Sequence, residues 1–123
     1  MFATTQAYSG FAVDDVAQAR AFYGETLGLE TSVGDHLMTL HLAGGRDTLV
    51  YPKPEHVPAS YTILNFPVDD IDAAVDELSA RGVEMLRYDD RGQDEKGIMR
   101  DNGPSIAWFT DPAGNVLSVL QER

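Results

Sequence analysis

Imidazole, carboxylate and hydroxyl groups are the side chains here that could ligate a metal, move a proton or attack a carbonyl. The histidines of the 123-residue sequence are His36, His41 and His56. His36 and His41 fall on one expected strand an odd number of residues apart, so alternation sends them to opposite faces and keeps them from chelating one ion together. His56 falls in a proline-rich segment. One of them with Asp94 or Glu95 would make a metal site, and His41 alone would make a general base; scattered histidines and acids are more often solvated or locally hydrogen-bonded. Ser9, Ser32, Ser60, Ser79, Ser105 and Ser118 all lack the Gly-x-Ser-x-Gly setting that exposes a strained nucleophile. Gly44-Gly45 reads as a hairpin turn with no helix after it, so it is not a phosphate loop.

The elements that must position these groups come from a repeat. Phe11-Ala-Val-Asp-Asp-Val-Ala-Gln-Ala-Arg-Ala-Phe-Tyr returns as Phe66-Pro-Val-Asp-Asp-Ile-Asp-Ala-Ala-Val-Asp-Glu-Leu, and the same offset separates Phe11 from Phe66 and Asp15 from Asp70. Each copy reads as a strand end, an acidic helix cap and a helix that stops near Gly28 or Gly82. In module 1, about residues 4–52, a strand 6–13 precedes a helix to about Leu27 with Val16, Ala19, Tyr23 and Leu27 on its apolar stripe. Strands 31–33, 36–42 and 47–51 follow, joined by turns at Gly34-Asp35 and Gly44-Gly45. Residues 52–59, rich in proline, read as a linker. Module 2, about residues 60–123, restarts with a strand 61–68, a helix 70–81, a strand 83–88, a polar loop 89–104, and strands 105–110 and 116–121. Both modules are therefore βαβββ.

A chain of this length supports one domain, and two half-size modules must share a core to bury enough apolar surface. The formal net charge of −11, with only nine Lys and Arg, argues against nucleic-acid and membrane-surface partners. Much of the acidity sits at helix starts and on helix faces, where it favours the helix dipole and solubility. No cysteine is present, which excludes disulfides and thiolate metal sites and suits a cytoplasmic location. Neither a membrane span nor a signal peptide is evident.

The strand ending in Val-Asp-Asp, the helix carrying Ala-Phe-Tyr and Leu-Gly-Leu, and the hairpin Trp108-Phe-Thr-Asp-Pro-Ala-Gly-Asn-Val-Leu117 resemble the vicinal oxygen chelate superfamily. That superfamily includes the glyoxalases, the bleomycin-resistance proteins and the extradiol dioxygenases. The resemblance covers essentially the whole chain and implies an α+β fold in which two βαβββ modules form one cupped mixed β-sheet with the helices outside. It also implies a homodimer. Its enzymes hold a divalent metal with His and Glu at repeated strand positions, which map here onto Tyr8, Ile63, Ser118 and a residue near Leu49 or Val50. None of these is His, Asp or Glu, so no metal or other cofactor is expected.

Strand parity puts Tyr8, Gly10, Ile63, Asn65 and Ser118 on the concave face, opposite Phe11, Val13, Leu64 and Phe66. Met38, His41, Met99 and Trp108 are further lining candidates, indole for stacking and thioether for adaptable packing. The 89–104 loop would be either a lid or a surface loop. The expected function is metal-free binding of a small hydrophobic or aromatic molecule, with antibiotic or toxin sequestration as one use. An enzyme with displaced metal ligands or metal-independent chemistry is the alternative, and an accessory domain with a filled cup is a third reading.

Overall fold

The repeated Val-Asp-Asp sequences build nearly identical helix starts. Asp15 is extended (φ −141°, ψ 107°) and its side chain accepts from the Gln18 amide at 3.1 Å, while Asp70 (φ −140°, ψ 101°) accepts from the Ala73 amide at 3.1 Å. Each aspartate satisfies an amide that the first helical turn leaves without a partner. The computed structural model of the chain describes residues 1–101 and 103–122. It divides into two units, Met1–Val57 and Pro58–Arg123.

In the N-terminal unit the elements are β1 (Gly10–Val13), α1 (Val16–Arg20), β2 (Glu30–Gly34), β3 (Leu37–His41) and β4 (Thr48–Pro52). They form a sheet of order β1-β4-β3-β2, with β1 parallel to β4 and the other pairs antiparallel. The helix predicted to reach Leu27 is α-helical only to Arg20 and widens into a π-helical stretch, Ala21–Thr26, closed by the Leu27 amide on the Phe22 carbonyl at 2.9 Å. A 3.6-residue period cannot distinguish the two forms over so short a stretch. Tyr23 on this stretch is fully buried, and its ring lies 5.7 Å from Phe11 and 5.2 Å from Phe22. Phe11, Val50 and Met38 are register partners, which identifies the face that carries the helix.

The first strand is shorter than expected, so Tyr8 precedes it. His36 also leaves its expected strand: Asp35 (φ 52°) and His36 (φ 65°) make the turn between β2 and β3, where Gly34-Asp35 was expected. Gly34 pairs with Leu37 and is the last residue of β2. Gly10 has a packing role: a Cβ there would come within 3.0 Å of the Leu49 carbonyl oxygen on the adjacent strand.

In the C-terminal unit, β5 (Thr62–Pro67), α2 (Ile71–Ala80), β6 (Ser105–Thr110) and β7 (Val116–Gln121) form a sheet of order β5-β7-β6, with β5 parallel to β7. Helix α2 buries Ile71, Val75 and Leu78, and the Ile71 amide donates to Gln121 Oε1 at 3.0 Å. The Asp-Pro-Ala-Gly-Asn turn between β6 and β7 is closed on itself. Asp111 Oδ1 accepts from the amides of Ala113 and Asn115 at 3.0 and 2.8 Å, and Gly114 at φ 90° abuts Pro58, which a Cβ would approach to 3.0 Å.

The strand expected at 83–88 does not form a ladder. That segment and the chain after it touch β6 through two isolated bridges, Met85 to Phe109 and Met99 to Ile106. The side-chain amide of Gln93 occupies the groups that a ladder would have used: it accepts from the Tyr88 amide at 2.7 Å and donates to the carbonyls of Leu86 and Gly97 at 2.9 and 2.7 Å. A single side chain thus satisfies three backbone groups and leaves the segment irregular. The fold is α+β with two mixed sheets of four and three strands.

Candidate functional site

Alternation along the strands of the C-terminal unit separates two rows of side chains. Leu64, Leu117 and Phe109 are register partners on the α2 face, where Met85 joins Phe109. One residue further along, Asn65, Ser118 and Trp108 are partners across β5, β7 and β6, so their side chains share the opposite face. The Ser118 hydroxyl donates to Asn65 Oδ1 at 2.6 Å. Ser118 is fully buried and Trp108 nearly so.

The row continues past the sheet edge. Tyr88 meets the Trp108 ring edge-on, at 5.4 Å between centroids and 90° between planes. Arg91 lays its guanidinium carbon 4.4 Å from the Tyr88 centroid and 4.9 Å from that of Trp108. A planar cation against two π-faces is worth about 0.5–2 kcal/mol, depending on desolvation. The row therefore places a nearly buried indole and a buried hydroxyl beside a half-buried phenol and an exposed guanidinium and amide. Asn65, Ser118 and Trp108 were among the expected lining residues and the register sets them side by side; Tyr88 and Arg91, which adjoin them, were not among the expected residues. Arg91 lies three residues after Tyr88, across a turn that carries no periodic signal.

The other expected lining residues are more scattered. Ile63 is the extra residue of a β-bulge, because Thr62 pairs with Val116 and Leu64 with Leu117. Met99 pairs with Ile106, which alternates with Ala107 and so shares the Trp108 side of β6. Met38 is corrected: it is 0% exposed on the helix face of β3, register partner to Val50, and belongs to the core. Tyr8 is 63% exposed and, with Thr39, Arg46, Asp47 and Leu49, lines a cavity of about 250 Å³ in the N-terminal unit. Gly10 lies on β1, opposite Leu49. His41 alternates with the buried Leu40 and so faces away from the helix; its Nδ1 lies 3.2 Å from Asp47 Oδ1 and its Nε2 2.9 Å from Ser32 Oγ. A larger cavity of about 890 Å³, with Asp15, Arg20, Glu25 and His36 on its walls, lies against α1, and none of the expected lining residues borders it.

The described part of the 89–104 loop is held by charge; Asn102 lies outside the described residues. Arg100 pairs with Asp72 of α2 at 2.8 Å and with Asp94 at 3.0 Å, and Lys96 reaches Asp72 at 3.4 Å and Asp76 at 3.1 Å. Arg87 donates to the carbonyls of Asp94 and Glu95. The Arg100 guanidinium, with help from Lys96, holds the Asp72 carboxyl below its ordinary value. Partial burial works against the charge of Asp94, but the Ile98 and Lys96 amides and Arg100 outweigh it and hold this carboxyl low as well. Ile98 within the loop is fully buried.

The side chains at the superfamily's metal positions do not fit a divalent ion. Ile63 has no donor atom, the Ser118 hydroxyl is engaged with Asn65, and Tyr8, which shares its cavity with Asp47, presents a phenol where a His or Glu would be needed. Among the described residues no three His, Asp or Glu side chains converge to hold a metal. Among them, too, no helix is long and apolar enough to cross a membrane.

Comparison with known proteins follows the same outline. TnmS3, an antibiotic binding protein from Streptomyces sp. CB03234, is 26% identical, with 98% of each chain covered and a TM-score of 0.70. A glyoxalase/bleomycin resistance protein from the same Streptomyces is 27% identical over 95% of this chain and 100% of its own, with a TM-score of 0.65. The fosfomycin resistance protein FosX from Listeria monocytogenes shares the fold at 16% identity and a TM-score of 0.68, covering 98% of this chain and 92% of its own. Among curated proteins none matches. The family model described as the Glyoxalase/Bleomycin resistance protein/Dioxygenase superfamily matches residues 5–119, and to that superfamily the chain belongs.

Proposed function

We propose that the protein is a metal-free binder of a small, flat, hydrophobic or aromatic molecule, acting by sequestration. The observation that carries this reading is the patch in which Trp108, Tyr88 and Arg91 adjoin the hydrogen-bonded Asn65–Ser118 pair. A planar ligand displaces the Arg91 guanidinium from the Trp108 ring, stacks on the indole so uncovered, and is held by the amide N–H groups of Asn65. The likeness to an antibiotic binding protein at 26% identity supports a toxin or antibiotic as the ligand class.

Ile63 and Met99 contribute packing surface in this reading. The working protein is a homodimer in the cytoplasm. Exposed Leu37 and Tyr51, on the sheet face away from α1, are apolar surface that a second copy would cover. Sedimentation of the purified chain tests that assembly.

Titration of Trp108 fluorescence with planar aromatic compounds tests the ligand class, since this is the single tryptophan of the chain. Saturable quenching that is lost in Asn65→Ala supports the reading. Elemental analysis of untagged protein, followed by loading with nickel, zinc, manganese or iron, tests the absence of a metal. One ion per chain with a rise in thermal stability would overturn the metal-free reading and favour a glyoxalase-like or dioxygenase-like enzyme with displaced ligands.

A further inference from the structure

We infer that Ser32, His41 and Asp47 form a nucleophilic relay on the open face of the N-terminal sheet, able to transfer the acyl group of a small carboxylic ester. His41 Nδ1 lies 3.2 Å from Asp47 Oδ1 and Nε2 lies 2.9 Å from Ser32 Oγ. With Asp47 accepting from Nδ1–H, the neutral ring presents a bare Nε2 to the serine hydroxyl, the arrangement in which imidazole takes the proton of an attacking Oγ. The sequence offers no nucleophile elbow, and none is needed here. Ser32 comes from β2, His41 from β3 and Asp47 from the chain leading into β4, and the β2–β3 register, in which Ser32 faces Thr39, brings them together.

A place for the substrate adjoins the relay. Thr39, the register partner of Ser32, and Asp47, whose carboxylate meets His41, both line the cavity of about 250 Å³ that Tyr8, Leu49 and Arg46 complete. Its size suits a short acyl group against Tyr8 and Leu49, with the Thr39 hydroxyl and the Arg46 guanidinium as donors on the same wall. His41 is one-third exposed, so water reaches the site. In the reaction, the Ser32 Oγ–carbon bond forms as its proton passes to His41 Nε2. The alcohol leaves with that proton, and water then releases the acid and regenerates Ser32 by the same proton route. Ser32 and His41 are the catalytic residues; Asp47 acts through His41 and is a positioning residue.

The test is reaction of the full chain with an alkyl fluorophosphonate, which forms a Ser Oγ–phosphorus bond and expels fluoride, followed by peptide mapping by mass spectrometry. The expected result is phosphonylation of Ser32, with exposed Ser60 as the internal reference. His41→Gln should slow Ser32 labelling by about a hundredfold, the size of a general-base contribution. Asp47→Asn should slow it by at least about tenfold, with Asp47→Glu restoring most of the rate, because the carboxylate orients the ring. Ser32 labelling no faster than that of Ser60, or a rate indifferent to His41→Gln, would overturn the proposal. Failure of Asp47→Glu to rescue would remove Asp47 from it. The ligand patch around Trp108 has no part in the outcome, so the two proposals stand or fall separately.

Discussion

The two units share one plan and fill it differently. Both start with a strand, an aspartate-capped helix and a first strand parallel to the last, β1 with β4 and β5 with β7. The N-terminal unit completes four strands, and its open face carries a polar cluster in which His41 meets Ser32 and Asp47. The C-terminal unit stops at three strands, gives its fourth segment to the Gln93-centred loop, and turns an aromatic row outward beyond Trp108. The difference shows that a duplicated backbone plan constrains the core rows tightly and the open rows hardly at all. Leu40, Val50, Leu117 and Phe109 are interchangeable in chemistry, whereas His41 and Trp108 are not.

The comparison breaks most sharply in the cores. Phe109→Ala should destabilise by about 3–5 kcal/mol and Leu40→Ala by about 2–5 kcal/mol in urea unfolding, since both side chains are essentially buried. A cost below about 1 kcal/mol at either position would mean that its unit lacks the packed core described. Next comes the loop that distinguishes the units. Gln93→Ala leaves the Leu86 and Gly97 carbonyls and the Tyr88 amide without their partner, and should cost about 1–3 kcal/mol with faster amide exchange at Tyr88. Trp108→Ala, followed by calorimetry with a planar ligand, should weaken binding by about 2 kcal/mol or more, as truncation of a buried aromatic anchor does. The same ligand should be insensitive to Leu37→Ala.

The equivalence of the units is tested by their caps. Asp15→Ala and Asp70→Ala should each cost about 1 kcal/mol, and nearly the same amount, because the two caps share their dihedrals and their 3.1 Å bonds. The smallest effect concerns the loop anchors. Asp72 and Asp94 are held below the ordinary carboxylate value, so their contribution is present above that value and is lost as pH falls through their lowered ones. Protection of the amides across residues 94–100, read as exchange relative to the intrinsic rate at each pH, should therefore be high at neutral pH and fall in strong acid, and salt should weaken the exposed Lys96 and Arg100 pairs.

Much of this was legible in local chemistry. The Asp caps, the stop at Gly82 and the closed Asp111-to-Asn115 turn each depend on residues close in sequence, and so does the parity that grouped Asn65 with Ser118; the place of Trp108 beside them is set by register. Met38 was misread because apolar residues that line a pocket and those that fill a core look alike until the facing row is known; Val50 and Phe11 are that row. Tyr88 and Arg91 were missed because their meeting with Trp108 depends on a turn that the Gln93 side chain holds.

Periodicity, capping and turn residues are properties of neighbouring side chains and backbone dihedrals, so the superfamily and most of the strand and helix order, though not the irregular 83–88 segment, could be read before any coordinates. Register, the bulge at Ile63, the π-helical widening after Arg20 and the Ser32–His41–Asp47 contacts are set by which strand edges meet. Those meetings are long-range choices among many pairings, and only packing of the whole unit selects one.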